Sequence, residues 1–182
     1  VGAVMTLPTR GEAKSPRVAQ NAYEVGHELC EMAQQGLISP LIIIDNDKIN
    51  RMYPGLTVRQ FWPTINNTVG QLFDIFNRVS SLPSPYTAFD HADYYSIMQA
   101  GGCAIMGLTR IHDIKDKFTI SRGVRQNLSK TLLANGFNLK TAKVAGSIVV
   151  GGEKMMASVK GLQDNIDYAF DVLAEITGDA TI

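Results

Sequence analysis

The chain has 182 residues, enough for one sizeable domain or one domain and part of another, with a core that needs no covalent staples. Lys plus Arg and Asp plus Glu are 17 each, so no net field draws it to nucleic acid or to anionic lipid. Direct membrane insertion is also disfavoured, because the longest apolar run, residues 41–44, is far too short to span a bilayer. The two cysteines, Cys30 and Cys103, lie far apart in sequence, each inside an apolar pattern, which predicts reduced thiols in a cytoplasmic protein.

Residues 1–7 read as a strand with no preceding turn, and residues 179–182 as a strand just beginning, so the chain is expected to be a fragment of a larger fold. Ser15 and Pro16 then supply an N-cap followed by proline at the first helical position, where its missing N–H costs nothing. Val18, Ala22, Val25, Leu29 and Met32 recur at helical spacing, and Gly36 supplies the stop. Leu41, Ile42, Ile43 and Ile44 form a buried strand of an α/β layer, ending in the polar turn Asp45, Asn46, Asp47 and Lys48. Ligands of open parallel sheets bind at such carboxyl ends, which makes Asn46 a candidate contact residue; a plain Asx turn is the simpler alternative.

Thr57 opens a long helix carrying Phe61, Ile65, Val69, Leu72, Phe76 and Val79 on one face. Pro63 predicts either a start near Trp62 or an early kink. Asn66 and Asn67 stand on the opposite face, where two adjacent amides suit either solvent or the planar edge of a ligand. A loop with Pro83 and Pro85 leads to Phe89, Asp90, His91, Ala92 and Asp93. Two acids at (i, i+3) project to one side of a first helical turn. Asp90 is an obvious N-cap for the apolar run Tyr94, Ile97 and Met98, and Asp93 complements the positive end of the helix dipole. The same pair could share a water or a cation held by a neighbouring molecule.

The remainder alternates. Residues 103–109 read as a strand, Val124, Leu128 and Leu132 as a helix closed by Asn135 and Gly136, residues 144–150 as a strand, and Ile166, Phe170, Leu173 and Ile176 as a helix closed by Gly178. This pattern predicts an α/β unit with helices packed on a small mixed sheet. Gly146 and Gly151 have the spacing of a P-loop, but Gly152 and Glu153 stand where Lys and Ser or Thr are required. No histidine or cysteine clustering points to a metal site; His27, His91 and His112 are scattered, and His91 alone neighbours the acids.

In order, these elements resemble the second half of the tubulin and FtsZ superfamily, with the closer likeness to FtsZ. Val4, Met5, Thr6, Leu7, Pro8 and Glu12 are similar to the strand that runs into a proline and a nucleotide-contacting glutamate. Ile42 through Lys48 resembles the strand ending in Pro-Asn-Asp-Lys; Asp90, His91, Ala92 and Asp93 fall on Asp-Phe-Ala-Asp; Gly101 to Gly107 resembles Met-Gly-x-Ala-Met-Met-Gly. The resemblance implies an α/β fold: the end of a Rossmann-like GTPase domain at residues 1–56, a central helix at 57–80, a synergy loop at 81–93 and a truncated C-terminal domain at 94–182. It implies a GTPase of cytoskeletal type that binds GTP or GDP with Mg2+ held mainly by the nucleotide, and that self-associates head to tail into protofilaments. Glu12 and Arg17 would face ribose and phosphates, Asn46 the base or sugar, and Asn66 and Asn67 the guanine. Asp90 and Asp93 would orient and polarise the water attacking a nucleotide bound by the adjacent subunit.

The sequence departs from that pattern in places. Ala88 stands where the family has asparagine and His91 where it has phenylalanine; Arg17 follows Glu12 by five residues instead of four. These departures mark a divergent FtsZ-like paralogue. They leave room for a non-catalytic regulator that caps or co-assembles with another FtsZ. The glycine-rich phosphate loop is missing from these residues, so on their own they are expected to be inactive and to bind guanine nucleotide poorly.

Overall fold

The structure is a computed structural model that describes every residue except 85–87, 115, 130–135, 179 and 182, and the side chain of Val58. It divides into two compact units. Among the described residues, the first comprises Val1–Ile75 with Met98–Met106; the second is built from Phe76–Ile97 with residues 107–129 and those from 136 onward.

In the first unit, β1 (Ala3–Leu7) pairs in parallel with β2 (Leu41–Asp45), in a register that sets Ala3 opposite Leu41 and Leu7 opposite Asp45. A third segment joins β2 by a single parallel bridge, Leu41 with Cys103, in which the Ala104 amide donates to the Leu41 carbonyl at 2.8 Å. Four successive residues of β2, Leu41 to Ile44, are buried, as a strand covered on both faces should be. β1 instead alternates, with Val4 and Thr6 exposed.

The crossover between the strands is α1 (Pro16–Gln34). Pro16 takes the first helical position as expected, although the Ser15 hydroxyl makes no capping bond. The stop is a Schellman turn: Gly36 has φ +74°, the Leu37 amide donates to the Met32 carbonyl at 2.9 Å, and the Gly36 amide to that of Ala33 at 3.2 Å. Ala33 packs with Leu41 and Ile43, and around them lie Ala3, Leu7, Leu29, Cys30, Ile38 and Cys103. Val18 and Val25, expected on the packed stripe of α1, are exposed instead.

The polar turn expected after β2 is a helix, α2 (Asn46–Met52). Asp45 caps it, its Oδ1 accepting from the Lys48 amide at 2.9 Å. α3 (Val58–Val79) begins before Trp62 and runs through Pro63. Gln60 reaches back over its start, the Thr57 amide and hydroxyl donating to Gln60 Oε1 at 3.2 and 2.8 Å. Proline at the sixth helical position forfeits one backbone bond without ending the helix.

The second unit takes in the last turn of α3 from Phe76, most of α4 (His91–Gln99), α5 (Thr119–Ser129), α6 (Glu153–Ala157) and α7 (Leu162–Thr177). Its core joins Ile120 and Val124 of α5 to Leu162, Ile166, Ala169 and Leu173 of α7, flanked by Ile111, Ala145 and Val149. Gly178, at φ +65°, closes α7 as the sequence implies. Among the described residues, the strands expected at 103–109 and 144–150 are not continuous ladders. Each is represented by one bridge, Leu41 with Cys103 and Val144 with Thr181, because a strand exists only as far as a neighbour supplies regular hydrogen bonds. Leu132 and Asn135, expected at the end of α5, and Pro85 lie outside the described residues.

Candidate functional site

The parallel register brings the carboxyl ends of β1 and β2 side by side, so the turn after Leu7 and the start of α2 leave the sheet at the same edge. Thr9 and Glu12 form a capping box there: the Thr9 amide and hydroxyl both donate to Glu12 Oε2 at 2.8 Å, and the Glu12 amide donates to Thr9 Oγ1 at 3.3 Å. Asp47 fastens this turn to α2. Its Oδ1 accepts from the Arg10 amide at 3.1 Å, and its Oδ2 lies 3.3 Å from Arg10 Nε and 2.8 Å from an Arg51 guanidinium nitrogen. The sequence shows Asp47 only as part of a polar cluster; its role as a strut requires knowing that the two turns meet.

Beside Asp47 is the unusual group of this edge. Asn46 is 4 % exposed, and its Oδ1 is buried with no hydrogen-bond donor among the described residues. An amide oxygen taken out of water without a partner costs about 1–3 kcal/mol, which folding tolerates where a ligand supplies the missing donor. Lys48, on the same helix, is also buried; desolvation lowers its pKa, with the Asp45 charge opposing and Arg51 reinforcing that shift. Arg17 is exposed in the first turn of α1, and Asn66 and Asn67 are exposed on α3. Glu12 and Asn46 are therefore brought to one edge by the sheet, while the Arg17, Asn66 and Asn67 side chains are open to solvent.

Asp90 and Asp93 lie in the second unit and form a reciprocal cap on α4. Oδ1 of Asp90 accepts from the Ala92 amide at 2.7 Å and the Asp93 amide at 3.1 Å, while Oδ2 of Asp93 accepts from the Asp90 amide at 2.9 Å. Asp90 is exposed, and these bonds, first that from Asp93 and then that from Ala92, hold its pKa below the usual carboxylate value. The residue before the cap, Phe89, and the fourth residue of the helix, Tyr94, meet with ring centroids 6.2 Å apart, which is a hydrophobic staple. Phe76 stacks on Tyr94 at 6.2 Å with planes 6° apart.

Gly146 explains part of the glycine spacing that resembles a phosphate loop: a Cβ there would lie 2.7 Å from Ile97 Cδ1 and 3.2 Å from Phe89 Cε2. The glycine keeps space for the aromatic anchor of the acidic turn. His91 Nδ1 lies 3.3 Å from the hydroxyl of the buried Ser80. Among the described residues, no group of three or more His, Cys, Asp or Glu could hold a metal ion, and no helix is long and apolar enough to cross a membrane.

The fold is similar to that of solved TubZ structures, and the sequence to that of an FtsZ, in each case over about half of the other protein's length. In particular, the chain is 24% identical over 180 residues to the cell division protein FtsZ 2 of Methanocaldococcus jannaschii, an alignment that takes in 98% of this chain and 44% of that protein. It superposes on the TubZ of Bacillus thuringiensis serovar israelensis, solved as GDP-form protofilaments, with a TM-score of 0.73 at 16% identity, covering 98% of this chain and 46% of TubZ. A type III plasmid segregation TubZ gives the same TM-score at 15% identity, covering 98% of this chain and 49% of its own. The chain thus spans about half the length of the relatives it matches. No protein-family model matches it.

Proposed function

We propose that these residues are part of a polymerising GTPase of the FtsZ and TubZ kind, soluble in the cytoplasm and assembled head to tail into protofilaments. Residues 1–56 would complete a nucleotide-binding domain, 57–80 form its central helix, 81–93 its synergy loop and 94–182 its C-terminal domain. Glu12, Arg17, Asn46, Asn66 and Asn67 would face the guanine nucleotide.

The observation that carries the reading is the buried, unpartnered Oδ1 of Asn46 at the carboxyl edge of the parallel sheet. A guanine amino group or a ribose hydroxyl is the donor it lacks. The exposed apolar side chains Val4 on β1 and Val18 and Val25 on α1 add support, since the remainder of a nucleotide-binding domain would cover such positions.

In the hydrolytic step, Asp90 and Asp93 would accept hydrogen bonds from a water poised in line with the terminal phosphate of the neighbouring subunit. The capping bonds fall on Oδ1 of Asp90 and Oδ2 of Asp93, so a second oxygen of each carboxylate is the acceptor this step uses. The cap fixes both acids on a helix end, and the Phe89 staple limits how far they swing. Mg2+ bound with the nucleotide supplies neutralisation of phosphate charge. Catalysis then depends on assembly, because acids and nucleotide belong to different subunits.

The test is GTP turnover and light scattering of a polypeptide that joins these residues to the phosphate-binding half. Turnover rising steeply with protein concentration, and abolished by Asp93→Ala, is the expected result. Unchanged turnover in that variant refutes the assigned role. A second reading, a regulator that caps or co-assembles with another FtsZ filament, is favoured by Ala88, which puts a methyl where the acidic loop would carry an amide. It predicts filament binding without turnover.

A further inference from the structure

Although 72 residues separate Cys30 from Cys103 in the sequence, the fold brings them together. Cys30 lies on α1 one turn before Ala33, whose carbonyl accepts from the Gly102 amide at 3.1 Å. Cys103, the next residue, bridges to Leu41. Both thiols pack on the cluster of Ala33, Leu41 and Ile43, and both are free and partly exposed.

We propose that Cys30 and Cys103 form a redox-responsive pair, which a low-molecular-weight disulfide converts into an intramolecular disulfide linking α1 to the segment beside β2. The chemistry is thiol–disulfide exchange. The Cys30 thiolate attacks one sulfur of the small disulfide, forming a mixed disulfide and releasing one small thiolate. The Cys103 thiolate then attacks Cys30 Sγ, forming the protein disulfide and releasing the second. Two protein thiols are oxidised and one small disulfide is reduced to two thiols. Burial first, and then the charge and hydrogen bond of Cys30, push the Cys103 thiol up to about 11, which disfavours Cys103 as the first to attack. The inference is independent of any nucleotide chemistry.

Oxidised glutathione added to the native chain, followed by alkylation, intact mass measurement and peptide mapping, tests it. The expected product is a monomer that has lost two hydrogens and yields one cross-linked peptide containing both cysteines. Cys103→Ser is expected to stop at a single glutathione adduct on Cys30. Peptide mapping of the unsubstituted chain decides the matter even if that variant fails to fold. Two glutathione adducts on one chain, a disulfide between chains, or two thiols left free in excess oxidant would each overturn the proposal.

Discussion

Replacing Asn46 with leucine separates the folding role of this residue from its ligand role, because the two effects are predicted to have opposite signs. Asn46 is 4 % exposed and its amide oxygen has no partner, so the free chain carries a desolvation cost of about 1–3 kcal/mol there. Leucine shares the branched shape of asparagine, though it is larger, and leaves no acceptor unmet. α2 does not depend on this side chain for its cap, which Asp45 supplies. Allowing for imperfect packing, Asn46→Leu is expected to stabilise the nucleotide-free chain by about 1 kcal/mol, roughly a fivefold change in the folded-to-unfolded ratio. In a polypeptide that carries the phosphate-binding half, the same substitution removes one ligand hydrogen bond and should weaken guanine nucleotide binding by roughly 2- to 12-fold. Urea unfolding followed by Trp62 fluorescence gives the first number, as a higher midpoint at constant slope. Titration with a fluorescent guanine nucleotide gives the second. A loss of stability of 1 kcal/mol or more, or an unchanged affinity, would refute the reasoning.

The other predictions concern the acidic turn and the close contacts around it. Asp90→Ala should speed amide exchange at Ala92 and Asp93, and Asp90→Asn, which keeps an acceptor, should largely restore protection. Because the folded pKa of Asp90 is depressed, its contribution to stability is present above the ordinary aspartate pKa of about 4 and is lost as pH falls through the lower folded value. The acid limb of a stability profile should therefore flatten in Asp90→Asn, and an unchanged limb would count against the cap. A Cβ on Gly107 would lie 2.3 Å from the Asn127 carbonyl oxygen, so Gly107→Ala should destabilise by about 1–3 kcal/mol. The same change at Gly70, a helical site with nothing within 4 Å, should stabilise by roughly 0.5–1 kcal/mol. Thermal melts of the two variants moving in the same direction would contradict the packing described. Leu41→Ala, at a fully buried position of β2, should cost about 2–5 kcal/mol by urea unfolding.

Where local chemistry decides structure, the sequence was legible. The Pro16 start, the Gly36 and Gly178 stops, the strand at residues 41–45 and the acid cap all follow from short-range rules, and the structure reproduces them. Partners distant in the chain were not legible. The expected strands at 103–109 and 144–150 shrink to single bridges because strand pairing depends on a neighbour that periodicity cannot supply. Two exposed valines of α1 show the same limit: a helical stripe announces a face without saying what covers it. At the candidate site, residue types pointed to Asn46, yet its unmet oxygen, the Asp47 strut and the meeting of Cys30 with Cys103 arise only when separate segments converge. The reverse holds for Gly146, whose place in a nucleotide-like spacing reflects the need to fit Phe89 and Ile97.

Mixing two inactive proteins decides whether the acids serve a nucleotide on another subunit. Both would carry these residues joined to the phosphate-binding half. One has Asp93→Ala with an intact nucleotide site; the other has intact acids and a nucleotide site disabled in its phosphate-binding loop. Each alone is expected to be silent, with GTP turnover appearing on mixing and rising with the concentration of either partner. Turnover that stays absent in mixtures shown to co-assemble, or that persists in the Asp93→Ala protein alone, would contradict it.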